Sequence, residues 1–320
     1  MFFAFEVYSE DEKEVVVRSA DQFNISNRLL SGTKRIENTM NAKQKYFFDL
    51  TGYLHLKNVL TTDELSNAQA AINRLLKMSS DKLPPGIGRD NGNGDTSFSN
   101  GFSADKSLES LTWHPSTRPI ISELTGGKPR FNRGSLIVNQ HHNQKMTPLH
   151  CAREDCGWQT RRYGVKDGHI HCNDFICFFY FTDVNPGDGG VVVLPGSHKS
   201  EFERPQISYT HTEPDGIFFQ DPEDPNQRLH PALVNVTPKA GDVIILSELV
   251  VHGVRIWKPT DRDRRFLILR YKTQYFSDVR GRKHPFPEEV WERLSPEIQE
   301  LSEAASYGHT KSIISPDLGQ

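Results

Sequence analysis

Between Arg130 and Gln274 the chain breaks repeatedly into short apolar runs: GSLIVNQ, FICFFYFTDV, GVVVLPG, PALVNV, DVIILSEL, VVHGVRIW and RFLILRYKTQY. Turn chemistry such as NPGDGG, PKAGD and PTDRD separates them, so each reads as a strand. No long helix intervenes, which argues against a parallel α/β sheet and for an antiparallel sandwich or barrel. A jelly roll is the expected form, mainly β with flanking helices, because its two sheets make an open-mouthed barrel able to hold a metal and a small ligand.

The flanks are different. Residues 1–44 show no firm period and read as an N-terminal extension, and the main domain is expected over 45–285. At its start YFFDLTGYLHLKNVL reads as a short helix and a strand. TTDELSNAQAAINRLLKM follows as a helix, with Thr61 and Glu64 forming a capping box and Leu65, Ala68, Ile72, Leu75 and Leu76 on one face. Residues 79–107 are rich in Gly, Asn, Asp and Ser and read as a long loop, either a cover for a site or a disordered insert. Residues 286–320 read as a helical segment with one proline break, then a tail.

The formal charge of −3 leaves no basic excess for nucleic acid or anionic membrane as the main partner. The four cysteines, at 151, 156, 172 and 177, are crowded into one stretch and fit no secreted disulfide framework, so a reducing, intracellular and cytoplasmic setting is expected. The apolar opening MFFAFEV leads into acidic residues, unlike a secretory leader, and no segment is long and apolar enough to span a bilayer.

With 13 histidines, most must bind nothing, yet two stand out by position. His252 closes the run LVV and precedes Gly253, at a strand end where a barrel mouth would lie; His150, in TPLH, follows the strand GSLIVNQ and could face the same cavity. If the strand that begins at Arg264 alternates, one of Arg264 and Arg265 points into the barrel. A buried guanidinium needs an anion, and its planar fork matches a carboxylate. The bland alternative pairs both arginines with Asp261 and Asp263 in a charged turn. Gln140, at the end of the strand before His150, is a candidate contact to a bound cosubstrate.

The run DVNPGDGGVVVLPGSHKSEF, with KYFFDLTGYLHLKNVLTTDEL upstream and RRFLILRY downstream, resembles the phytanoyl-CoA dioxygenase family of iron(II)- and 2-oxoglutarate-dependent oxygenases over roughly residues 45 to 275. The resemblance implies a double-stranded β-helix, a cupin-like jelly roll. It makes His150 and His252 iron ligands and gives Arg264 the far carboxylate of 2-oxoglutarate, since the family's arginine opens its strand. It makes His198, in PGSHKS, part of a structural loop. The implied activity is oxidation of a C–H bond in a small molecule, with Fe(II), 2-oxoglutarate and O2.

One position departs from the pattern. The family motif is His-x-Asp, and here His150-Cys151-Ala152 puts a methyl group where the carboxylate belongs. Three explanations stand side by side. Glu154 or Asp155 could swing back to the metal, and Asp155 is the candidate third ligand; His169, His171 or Asp174 could supply it; or water or a halide could occupy the place. The last arrangement resembles iron(II)/2-oxoglutarate halogenases, in which Ala or Gly leaves room for chloride. Cys151 offers a soft thiolate beside the same loop, whereas Cys172 and Cys177 read as core. The alternative to an enzyme is a non-catalytic jelly-roll binding protein that has lost a metal ligand.

Overall fold

The computed structural model describes residues 39–92, 95–141, 147–153, 162–202, 231–276 and 283–305. The chain enters through α1 (Ala42–Thr51), which a capping box between Asn41 and Gln44 starts and Gly52 ends in the left-handed conformation. The helix therefore begins three residues ahead of the Lys45 boundary. After β1 (Tyr53–Leu56) comes α2 (Thr62–Lys77), where Thr61 Oγ1 accepts from the Glu64 N–H and Glu64 accepts from the Thr61 N–H. Its apolar face buries Ala68, Ala71, Ile72 and Leu75.

Among the described residues, ten further strands follow β2 (Gly88–Gly92) and β3 (Asp95–Ser99) to make the body. They are β4 (Pro129–Asn139), β5 (Thr147–His150), β6 (Tyr163–Lys166), β7 (His169–Cys172), β8 (Asp174–Tyr180), β9 (Gly190–Val193), β10 (Val234–Asn235), β11 (Val243–Ser247), β12 (His252–Arg255) and β13 (Arg264–Thr273). The larger sheet runs β1-β11-β8-β13-β4-β3-β2 and the smaller β10-β9-β12-β5, with β6 and β7 as a separate ribbon. Every pairing is antiparallel. Strands β4, β13, β8 and β11 and their counterparts β5, β12, β9 and β10 form two four-strand layers, the jelly roll expected from the short-strand pattern.

Strand alternation assigns the faces. Ile176, Phe178 and Tyr180 of β8, Ile244 and Leu246 of β11 and Phe266 of β13 meet Val191 and Val193 of β9 between the sheets. Their neighbours Phe175, Cys177, Phe179, Leu267, Leu269 and Tyr271 point outward into a second core shared with α2. That core also takes Val290 of α5 (Glu288–Trp291), reached after the short helices α3 (Lys106–Glu109) and α4 (Arg118–Leu124), and Ile298 and Leu301 of α6 (Pro296–Ser302). The C-terminal helices thus share a core with the sheet. A third cluster, Leu149, Cys151, Val192, Leu233 and Val251, covers the outer face of the smaller sheet.

The segment 79–107 is not a long loop. Strands β2 and β3 extend the larger sheet beside β4, Phe98 and Phe102 are fully buried, and a Cβ on Gly134 would lie 2.6 Å from the Phe102 ring. Two aromatic anchors and a neighbouring strand hold what composition alone reads as uncovered chain.

Candidate metal centre

His150 ends β5, His252 begins β12, and the two are register partners across the smaller sheet. Their chain neighbours Leu149, Cys151 and Val251 belong to the outward cluster, so alternation turns both imidazoles toward the space between the sheets. The ring centroids lie 4.4 Å apart. His252 is buried, and its Nδ1 sits 2.7 Å from the Val250 carbonyl oxygen. A carbonyl only accepts, so Nδ1 carries the proton and Nε2 keeps its lone pair. Burial first, and then the neighbouring His150, push the His252 pKa down to about 4, against the raising effect of the Val250 carbonyl. The ring is therefore neutral near pH 7, the form a metal requires.

Ala152 is buried and its N–H donates to the Glu248 carbonyl at 2.7 Å. Arg153, next in the chain, reaches the PGSHKS loop by donating to the His198 and Ser200 carbonyls. Cys151 points into the outward cluster, on the opposite face from the imidazoles. The carboxylate of Glu248 pairs with Arg270. Glu154 and Asp155, the acids proposed to swing back, lie outside the described residues. His169 and His171 lie on the β6/β7 ribbon, where His169 Nδ1 is 3.2 Å from Glu123. Asp174 opens β8, and its carbonyl accepts from the Glu248 N–H. Among the described residues no three His, Cys, Asp or Glu side chains form a cluster able to hold a metal ion.

The two arginines part as alternation requires. Arg265 turns outward, donating to Asp263 at 2.7 and 2.9 Å and to Asn73 of α2 at 2.7 Å. Arg264 turns inward and is 1% exposed. Its Nε and Nη2 both donate to Asn139 Oδ1, at 2.8 and 2.5 Å, and its guanidinium carbon lies 5.6 Å from the Trp257 ring centroid and 5.1 Å from that of Phe266. Burial pulls its pKa below the usual guanidinium range, while the charges of Tyr180 and Asp95 oppose this. Nη1 is buried without a hydrogen-bond partner. A buried charged donor left unsatisfied costs about 1–3 kcal/mol or more, so this nitrogen calls for an anion.

Gly190 leaves the space in front of that nitrogen: a Cβ there would stand 2.9 Å from Nη1. Gly190 starts β9, whose other end, Val193, is the register partner of His252. Counted along β9, the glycine beside the arginine and the partner of His252 are three register positions apart, about 10 Å of strand. Gln140 is exposed beyond the end of β4. Asn139, one residue earlier, is the side chain that meets Arg264, because it is the one directly opposite in the ladder. Asn139, Asp95, Trp257 and Gly190 were not singled out from sequence, although carrying the alternation of β13 across to β4 would have found Asn139.

The sequence matches the family model for phytanoyl-CoA dioxygenase over residues 48–255. Among solved structures, the chain is similar to HygX from Streptomyces hygroscopicus with nickel, 2-oxoglutarate and hygromycin B bound, at 20% identity and a TM-score of 0.56, over 74% of this chain and 88% of that one. It is also similar to SnoN, a non-heme alpha-ketoglutarate-dependent epimerase from nogalamycin biosynthesis, at 17% identity and a TM-score of 0.52, over 73% and 83% of the two chains. The carbocyclase SnoK from the same biosynthesis is similar at 20% identity and a TM-score of 0.52, over 73% and 85%. At these identities the structural likeness speaks for the fold. No curated protein matches the chain. The family match takes in well over half of the sequence, with both histidines and the GDGG turn inside it, and the chain belongs to the phytanoyl-CoA dioxygenase family.

Proposed function

We propose that the chain is an iron(II)- and 2-oxoglutarate-dependent oxygenase that oxidises a C–H bond of a small molecule. The observation that carries this reading is the unpartnered Nη1 of Arg264, buried between the same two sheets as the His150/His252 pair. Two imidazoles suit iron, and a buried guanidinium at the far end of a short gap suits the second carboxylate of a diacid. HygX binds 2-oxoglutarate and hygromycin B, which supports the same cosubstrate and a small organic substrate here.

In this reading His150 and His252 hold the iron and Arg264 receives the far carboxylate of 2-oxoglutarate. Iron, when bound, supplies activation of O2 coupled to oxidative decarboxylation of the cosubstrate to succinate and CO2. For hydroxylation, one oxygen atom of O2 ends in succinate and the other in the product alcohol. The protein binds, orients and excludes water: Val250 fixes the tautomer of His252, Asn139 and Trp257 fix Arg264, and Phe178, Phe266 and Val254 keep the interior dry.

Ala152 supports a second outcome at the same centre, in which chloride takes the place of the family carboxylate and the product is halogenated. Asp155 remains the alternative occupant of that place. Among the described residues no helix is long and apolar enough to cross a membrane.

The test is spectroscopic. Anaerobic Fe(II) and 2-oxoglutarate should give a weak visible charge-transfer band that Arg264→Ala abolishes. If the wild-type protein shows no band and makes no succinate in air, it is a binding protein and not an oxygenase. Chloride should perturb the band if a halide completes the site, and Ala152→Asp should remove that response.

A further inference from the structure

We propose that Asp95 is a positioning residue for 2-oxoglutarate, acting through Asn139 to set which nitrogen Arg264 turns toward the cosubstrate. This rests on the oxygenase reading above. Asn139 is nearly fully buried between the two charged groups. Its Nδ2 donates to Asp95 Oδ1 at 2.6 Å, and its Oδ1 accepts from Nε and Nη2 of Arg264 at 2.8 and 2.5 Å.

A side-chain amide can normally be turned end for end with little change in shape. Here it cannot. An ionised carboxylate only accepts and a guanidinium only donates. Turning the Asn139 amide would set its oxygen against the Asp95 carboxylate and its NH2 against the arginine, losing all three bonds at once. Asp95 and Arg264 each demand this orientation, and Asp95 is the acceptor that keeps the amide seated with its oxygen on Arg264. That oxygen occupies Nε and Nη2 and leaves Nη1, the nitrogen facing Gly190, as the one without a partner. The three side chains sit directly across from one another on β3, β4 and β13, where the ladder pairs Asp95 with Asn139 and Asn139 with Arg264. A cross-strand row of this kind is held by the backbone register itself.

Removing the Asp95 carboxylate has two opposite effects. It takes away a negative charge that repels an incoming diacid, and it leaves the Asn139 NH2 without its acceptor, so that the amide is free to swing off the Arg264 nitrogens. Asp95→Asn has only the first effect, because its amide oxygen can still accept from Asn139. Asp95→Ala has both. Binding is read from the charge-transfer band under anaerobic Fe(II), with 2-oxoglutarate and with pyruvate, a 2-oxo acid that lacks the far carboxylate.

The expected result is that Asp95→Asn binds 2-oxoglutarate at least as tightly as wild type, and Asp95→Ala binds it about tenfold or more weakly than Asp95→Asn, as for one lost charge-assisted hydrogen bond. Pyruvate should bind both variants alike. Equal 2-oxoglutarate affinity in the two variants, or an equal loss for pyruvate, overturns the positioning role. If Asp95→Ala does not fold, Asp95→Ser takes its place, since serine already stands at 97 and 99 on the same strand and its hydroxyl is too short to reach Asn139; the same two outcomes decide. A wild-type protein that does not favour 2-oxoglutarate over pyruvate fails the oxygenase reading itself, a result distinct from either.

Discussion

Gly190→Ala and Gly187→Ala form a matched pair that separates backbone strain from damage to the arginine. Both glycines have positive φ, +90° at Gly187 and +87° at Gly190. An alanine in that region costs about 1–2 kcal/mol wherever it sits. In a domain of this size each kcal/mol lowers Tm by roughly 2–4 °C, so either variant should melt about 2–8 °C below wild type. The surroundings differ sharply. Around Gly187 nothing lies within 4 Å of the added Cβ, whereas at Gly190 it would stand 2.9 Å from Arg264 Nη1 and 3.4 Å from Val184. Ordinary contact begins near 3.5 Å, so the guanidinium must give by about half an ångström. It cannot simply pivot, because Asn139 holds Nε and Nη2 and Trp257 and Phe266 flank the plane. The new methyl also fills the space in front of the nitrogen assigned to the cosubstrate. Losing one charge-assisted hydrogen bond, about 1.5–3 kcal/mol, should weaken 2-oxoglutarate binding by roughly ten- to 150-fold in Gly190→Ala. In Gly187→Ala it should leave binding at the wild-type level. Thermal melts measure the shared cost, and anaerobic titration of the charge-transfer band measures the difference. Equal 2-oxoglutarate affinity in the two variants would refute the placement of the carboxylate at Nη1.

Two further substitutions test the scaffold. Phe98→Ala should cost about 3–5 kcal/mol in urea unfolding, because Phe98 is fully buried on β3; a loss below about 1 kcal/mol would mean that 79–107 behaves as a removable cover after all. Burial first, and then the positive charge of Lys199, push the His198 pKa down from 6.5 to about 4. The unfolded chain binds that proton more readily, so the contribution is full above about pH 6.5 and is lost as pH falls toward 4, on the order of a few kcal/mol for a buried histidine. His198→Gln should flatten the fall in stability between pH 7.5 and 5 while leaving the share due to His252; identical slopes for variant and wild type would remove His198 from that account.

The parts of the fold that could be read from sequence are those whose pattern is local. The seven apolar runs alternate or are continuously buried, Thr61 and Glu64 sit at capping-box spacing, and each became the element it resembles. What could not be read depends on partners distant in the chain. GRDNG and DTSFS carry only one buried aromatic between them and become strands because β4 offers its edge. Asn139 and Gln140 show how much one residue matters: in a ladder each step reverses the face, so Asn139 meets Arg264 while Gln140 is exposed. The GDGG turn could be recognised as a family feature without its reason being visible. The reason is steric: a Cβ on Gly189 would lie 2.0 Å from the Ile256 carbonyl oxygen, and one on Gly190 would press on Arg264.

Ala152 belongs to a different category, because among the described residues the groups that orient the site do not lean on its side chain. His252 is oriented by the Val250 carbonyl and Arg264 by Asn139, and neither bond involves position 152. Position 152 is itself fixed through its backbone, by the N–H donated to Glu248, and Arg153 ties the next residue to the PGSHKS loop. The backbone of the family motif is therefore anchored by bonds that do not depend on the side chain it carries. An aspartate at 152 would inherit the same backbone anchor, so Ala152→Asp should add a carboxylate beside the two histidines while the imidazole and the guanidinium stay as they are held now.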